Sequence, residues 1–312
     1  MRALRDMRLP SSTAFTRRTL TLLTAGALCG CGGESPNAPD NLPAQPVLVS
    51  PVGGAQVSTD TPTFTVQNAR GFDQGQASYT FEVTTPSGAR SILSTTVPAG
   101  RGTTTLAVAA PLPRGVLLTW KVTAKSAAGE VAGGPASFRL PSVACQASSG
   151  PYAKTVIDSR LPLCERMPNI YNDPSTVLGP PDVAGFPPND WTGFVSLGEG
   201  GHVTVDMETC ADDVAGMDVR VYQAVGSEPV TLYAGGTPAG PWVLLESRKI
   251  CGTRLPGAGA AMRYCDFDLA SGEVQEARYF KVEDGELYPC ATAGSASEGA
   301  DIDAVEILHR KP

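Results

Sequence analysis

The chain is predicted to be all-β: two β-sandwiches in succession behind an export leader and a tether. Three observations predict this. Gly and Pro are frequent, 34 and 27 among 312 residues, while aromatic residues make up only 6%. Short runs of alternating residues recur between turn residues, and long 3.6-residue apolar periodicities are absent. The length is that of two domains rather than one.

The first thirty residues read as a signal peptide rather than as fold. Arg2, Arg5, Arg8, Arg17 and Arg18 make a positive leader, and "LTLLTAGAL" (Leu20 to Leu28) is an apolar stretch too short to span a bilayer. "LCGC" follows, ending at Cys31. It resembles the bacterial lipobox, with Leu28 three residues before the cysteine and the small Gly30 just before it. Cys29 is less usual at the middle position and is a poor acceptor itself, because Leu28 precedes it. The resemblance implies that Cys31 carries acyl chains and becomes the mature N-terminus, anchoring the chain to a membrane without a spanning helix. The alternative is an ordinary secretory peptide with an incidental cysteine. Residues 31–45, rich in Gly, Pro and Asn, then read as a flexible tether. "TRRTLTL" (Thr16 to Leu22) resembles the twin-arginine export motif as much as a general secretory leader. The expected location is the outer membrane or cell surface.

The first module spans 46–141. "VLVSP", "TFTVQN", "YTFEVTT", "ILSTTV", "TTLAVAA", "LLTWKVTAKS" and "ASFRL" supply seven strands in about ninety-five residues, the density of a seven-stranded sandwich. Leu118, Trp120, Val122 and Ala124 share one face, which makes Trp120 a core residue. "LLTWKVTAKSAAGEVAGGPASFRL" resembles the last third of a fibronectin type III domain, an immunoglobulin-like sandwich, with Leu118 where a tyrosine is common. The resemblance implies a spacer or adhesion unit.

The second module spans 145–312. Nine strand candidates run from "KTVIDS" (Lys154 to Ser159) to "AVEILH" (Ala304 to His309), as in a jelly roll. In "HVTVDM", Val203, Val205 and Met207 face inward, so His202 points outward. "GEGG" (Gly198 to Gly201) reads as a hairpin turn. In order, "VLGPPD", "FVSLGEGGHVTVDM", "GMDVRVYQ", "GGTPAGPWVLLES", "FDLA", "ARYFKVED" and "GADIDAVEIL" resemble the carboxy-terminal domain of bacterial surface lipoproteins. Those domains are related to galactose-binding-like and discoidin-like jelly rolls. Gln223, where that family often has Glu, and the inserted cysteines depart from the pattern.

Charge separates the modules. Residues 32–141 carry 7 Lys and Arg against 6 Asp and Glu; residues 142–312 carry 12 against 24. An acidic surface of this kind excludes nucleic acid as a partner and favours cations. Asp182, Asp218, Asp284, Asp301 and Asp303 stand at predicted strand ends or in loops. Asp301 and Asp303, two apart in an extended segment, face the same way and repel unless a cation lies between them. A structural calcium is the natural ion for such oxygen ligands. The alternative is that these aspartates cap turns. The resemblance implies a calcium as well, and places Asp284, Asp301 and Asp303 together at one end of the sandwich.

Cys145, Cys164, Cys210, Cys251, Cys265 and Cys290 form an even set in an exported chain, with fifteen possible pairings. Local loop closure favours Cys251 with Cys265 and Cys145 with Cys164, which leaves Cys210 with Cys290. No cysteine pair has zinc-knuckle spacing. Catalysis finds no signature: there is no G-x-S-x-G, and His202 and His309 are the only histidines. The expected function is therefore non-catalytic binding of a glycan. Trp191, Tyr222, Trp242 and Tyr288 are the candidate stacking residues, since aromatic faces pack on sugar rings. The second expectation is a structural or assembly protein of the envelope that binds a surface protein.

Overall fold

The computed structural model describes residues 43–73, 75–146, 150–162, 171–183, 192–224, 228–255, 262–285 and 299–311. The residues read as a signal peptide, the lipidation candidate Cys31 and the expected tether up to residue 42 lie outside the described residues. So do Cys164, Trp191, Tyr288 and Cys290.

The first module contains β1 (Val47–Ser50), β2 (Ala55–Gln56), β3 (Thr63–Gln67), β4 (Ala77–Thr84), β5 (Ser91–Pro98), β6 (Thr103–Ala107), β7 (Leu117–Ser126) and β8 (Gly129–Arg139). They form one sheet in the order β1-β3-β6 and another in the order β2-β8-β7-β4-β5. Alternation drives the layering. Phe64 and Val66, then Tyr79, Phe81 and Val83, then Leu118, Trp120, Val122 and Ala124 are all buried on the faces between the sheets. Trp120 is 1% exposed, with its ring centroid 4.8 Å from that of Phe64 and its Nε1 donating to Pro51 O at 2.6 Å. Each of the larger of these side chains contributes about 1.5–3 kcal/mol on burial.

All seven expected strands are present here, and two details differ. The pair Ala55–Gln56 adds a short strand parallel to β8. β8 itself begins at Gly129 instead of Ala136. Its glycines disguise it, and the structure explains them. A Cβ on Gly133 would lie 2.1 Å from Pro46 O, and Gly134 has φ 108° where Leu48 packs close by. Neighbouring backbone crosses the strand where only Gly fits.

The second module contains β9 (Thr155–Arg160), β10 (Val195–Ser196), β11 (His202–Asp212), β12 (Val219–Gln223), β13 (Pro229–Gly235), β14 (Val243–Ile250), β15 (Thr253–Arg254), β16 (Arg263–Phe267), β17 (Glu276–Asp284) and β18 (Asp301–Ile307). They form two five-stranded sheets, β10-β18-β12-β16-β15 and β14-β13-β17-β11-β9. Val203, Val205, Met207, Phe280 and Val282 from one sheet and Val219, Val221, Ile302, Val305 and Ile307 from the other are all buried.

Three expectations are corrected. "GEGG" is not a hairpin, because it carries the chain from β10 in one sheet to β11 in the other; Gly198 and Gly200 supply the positive φ. Asp301 and Asp303 do not stand in a loop before the last strand. They belong to β18, which starts at Asp301 because Ser196 and Val195 pair with Asp301 and Ile302. Cys145 is bonded to Cys210 rather than to Cys164, while Cys251 pairs with Cys265. The physical reason for the first pairing is a register shift in the β11–β17 ladder between Asp206 and Ala211, where Glu208 has φ 60°. That irregularity turns Cys210 toward the linker, whose Gln146 N–H donates to Glu208 O at 2.8 Å.

The two modules share one apolar cluster. Residues 38–312 form one compact unit. Val116 makes an antiparallel bridge to Val274, and Gly115 O accepts from Gln275 N at 2.6 Å. The disulfides among the described residues point to an oxidising, extracytoplasmic compartment. Among the described residues no helix is long and apolar enough to cross a membrane.

Candidate functional site

The site grows out of an irregularity in β18. Opposite this strand, Tyr222 of β12 pairs with Ala304 and Gln223 pairs with Ile302, so Asp303 is the extra residue of a β-bulge. Bulges re-aim a side chain, and this one sends a carboxylate into protein. Asp303 is 1% exposed. Its Oδ1 accepts the Asp182 N–H at 3.2 Å, while its Oδ2 is buried with no hydrogen-bond partner among the described residues. Burial raises its pKa from 3.8 to about 7. The negative charge of Asp182 adds to that rise, and the backbone N–H groups of Asp182 and Val183 oppose it.

The other aspartates of the expected calcium set have different work. Asp301 accepts a hydrogen bond from Ser196 Oγ. Asp284 accepts from Ala300 N at 3.1 Å and from Gly200 N at 3.3 Å, which fixes the inter-sheet turn and the start of β18. Asp218, fully buried, accepts from Leu269 N at 2.9 Å, His309 Nδ1 at 3.2 Å and Val214 N at 3.3 Å. Among the described residues no three of Asp182, Asp218, Asp284, Asp301 and Asp303 bring ligand oxygens together. The one convergence of three carboxylates there is Asp213, Asp218 and Asp268, within 4.8 Å of one another. Asp218 is already committed as above, and Asp268 caps the short turn at Ala270 N. Asp284 and Asp218 thus follow the turn-and-cap alternative, Asp301 accepts a hydroxyl from the neighbouring strand, and Asp303 is the one that meets the Asp182 loop.

Beside Asp303 lies the outer face of the same sheet. Arg220 pairs across strands with Asp266 and Glu306, and Tyr222 with Tyr264 and Ala304, so two rows of polar and aromatic side chains cross β16, β12 and β18. Arg220 forms a two-toothed bond to Asp266 at 2.6 and 2.8 Å and sits 3.8 Å from the Tyr264 ring centroid. Tyr222 OH donates to Glu306 Oε2 at 2.6 Å. Burial, together with that carboxylate, raises the Tyr222 pKa above its ordinary value. Tyr152, Val183 and Leu255 pack on the cluster. Tyr222 is itself deeply buried; Tyr152, Arg220, Tyr264, Asp266 and Glu306 are half-buried.

Trp242 does not join this set. It precedes β14 in the other sheet and rests on glycines: a Cβ on Gly235 would lie 2.7 Å from its ring, and one on Gly240 3.0 Å. It is a packing residue at the rim. His202 pairs with Asp158 at 3.0 Å on the exposed side of β11. Sequence reasoning found Tyr222 and Asp303 but missed Arg220, Tyr264, Asp266 and Glu306. The signal lay in the outward positions of the same strands, whose inward positions had marked the core. No protein-family model matches the chain, and no curated protein matches it.

Proposed function

We propose that the chain is a lipid-anchored extracytoplasmic surface protein whose second sandwich is a non-catalytic glycan-binding module. In this reading Cys31 carries the anchor, the first sandwich is fibronectin type III-like and the second is a galactose-binding-like jelly roll. The observation that carries it is the outer sheet face just described. Aromatic rings, a guanidinium and a carboxylate stand side by side there, the mixture that stacks on a sugar ring and fixes its hydroxyls. Asp303 supports a structural calcium beside that face, because its orphaned, buried carboxylate oxygen next to Asp182 offers a hard cation an anionic oxygen ligand, with backbone and water oxygens left to complete the shell. Such an ion would hold the loop at Asp182 rather than take part in chemistry. A glycan array, read with calcium and with chelator, tests the proposal. Binding that weakens in Tyr264→Ala and Glu306→Gln supports it; no glycan bound under either condition rejects it.

A second reading, an envelope assembly protein, is favoured by one feature. β5 and β6 are edge strands of their sheets, and an apolar cleft of about 260 Å³ runs beside them, lined by Ile92, Leu93, Leu106, Val108 and Leu112. An extended segment of a partner protein would add there as a strand. Partner capture abolished by Thr95→Pro or Thr105→Pro, with glycan binding absent, would select this reading.

A further inference from the structure

Glu273 joins the two modules in a way that neither reading uses. It follows the short 3-10 turn Leu269–Gly272 with φ 55°, a conformation that residues bearing a Cβ adopt at a cost. Its backbone N–H donates to Ala270 O at 2.9 Å and closes that turn. Its side chain leaves the second module altogether. Oε1 accepts from Thr85 Oγ1 at 2.9 Å and from Ser87 Oγ, and Oε2 accepts the Ser87 N–H at 3.2 Å. All three donors belong to the turn between β4 and β5 of the first module. Arg90, from the same turn, is the charged group that faces the carboxylate, and its Nη2 donates to Leu244 O at 2.7 Å. The Val116–Val274 bridge and the bond from Arg139 to Gln275 Oε1 lie nearby, and Glu276 accepts the Val143 N–H of the linker at 2.9 Å while paired with Lys311. Glu273 is the carboxylate that reaches the β4–β5 turn of the first module.

We propose that Glu273 is an acid-releasable clamp: ionised, it locks the two sandwiches into one rigid body, and protonated, it loosens the first against the second. Three donors converge on its two oxygens, and a protonated carboxyl cannot accept all three while presenting a hydrogen to one of them. Burial pushes its pKa up, but the hydrogen bonds from Ser87 and Thr85 and the charge of Arg90 outweigh that and leave it below the ordinary glutamate value. The contribution to docking is thus complete above the unfolded-state value and is lost as pH falls through the lower, folded one. The first module would then orient the binding module at neutral pH instead of serving as a flexible spacer.

Spin labels on ketone-bearing residues at the exposed positions 96 and 254 of the full chain test this by distance distributions across the junction. The expected result is one narrow distance at pH 7 that broadens as the pH is lowered beneath the usual carboxylate range. Glu273→Ala should be broad at both pH values. Glu273→Gln, which keeps the length and removes the charge, should show no pH dependence. A broad distribution in the unmodified chain at pH 7 overturns the rigid junction. A narrow one in Glu273→Ala, or an acid transition surviving in Glu273→Gln, overturns the role of this carboxylate.

Discussion

Replacing Asp303 by Asn separates a buried acid from a cation site. In the folded chain the pKa of Asp303 rises from 3.8 to about 7. The folded state therefore binds a proton more tightly than the unfolded state, so stability falls as pH rises from about 4 to 7 and is level above that. At about 1.4 kcal/mol per tenfold change in proton affinity, ionising Asp303 at pH 8 costs up to about 4 kcal/mol. Asn keeps an oxygen for the Asp182 N–H and cannot ionise. In chelator at pH 8 the variant should be more stable than the parent by up to that amount, and at pH 4 the two should nearly coincide. Calcium narrows that gap if it binds the ionised oxygen: at a hundred times its dissociation constant a ligand adds about 2.7 kcal/mol to the parent. The variant should gain little. Urea unfolding at pH 4, 6 and 8, each with chelator and with millimolar calcium, reads all of this. If the difference between parent and variant in chelator does not change between pH 4 and 8, the buried-acid argument is wrong. If calcium stabilises both chains equally, or neither, the ion does not bind at Asp303.

Three further outcomes follow from packing and covalent geometry. Trp120→Ala should cost about 3–5 kcal/mol in denaturant unfolding, because it empties a buried site and orphans Pro51 O; a loss below about 1 kcal/mol would contradict the core placement. Peptide mapping without reduction should link Cys145 to Cys210 and Cys251 to Cys265, and Cys145→Ser with Cys210→Ser should lose about 2–4 kcal/mol; recovery of a Cys145–Cys164 peptide would refute the pairing. Gly115→Ala should destabilise by at least about 2 kcal/mol, since φ is 76° and a Cβ would lie 2.0 Å from Glu276 O. A neutral effect on the melting temperature would mean that the main-chain contact between the modules does not form in solution.

Much of the fold was legible in the sequence because burial in a sheet has a period of two. Leu118 to Ala124 and Val203 to Met207 announce their inward faces by alternation alone. β8 was half hidden for the opposite reason. Its Gly133 answers to the backbone of Pro46, just before β1, and its Gly134 to Lys121 and the Leu48 side chain, contacts that no local window contains. The site was legible only in pieces. Tyr222 stands out as an aromatic residue in a strand, and Asp303 as half of an aspartate pair. Arg220, Tyr264 and Glu306 look like ordinary solvent-side residues until cross-strand register sets them in rows.

The sequence by itself determined that this protein is β throughout, that it carries the marks of export, and that its second half is acidic, because periodicity, cysteine parity and charge are local or additive properties. Tertiary structure decided what the aspartates do. Asp284 and Asp301 look equivalent to Asp303 in one dimension, yet those two are held by N–H and hydroxyl donors while a one-residue bulge buries the third with an oxygen unmatched. A bulge is set by how two strands register against each other. The chemistry of Asp303 thus depends on β12 and on Asp182, some eighty and one hundred and twenty residues away.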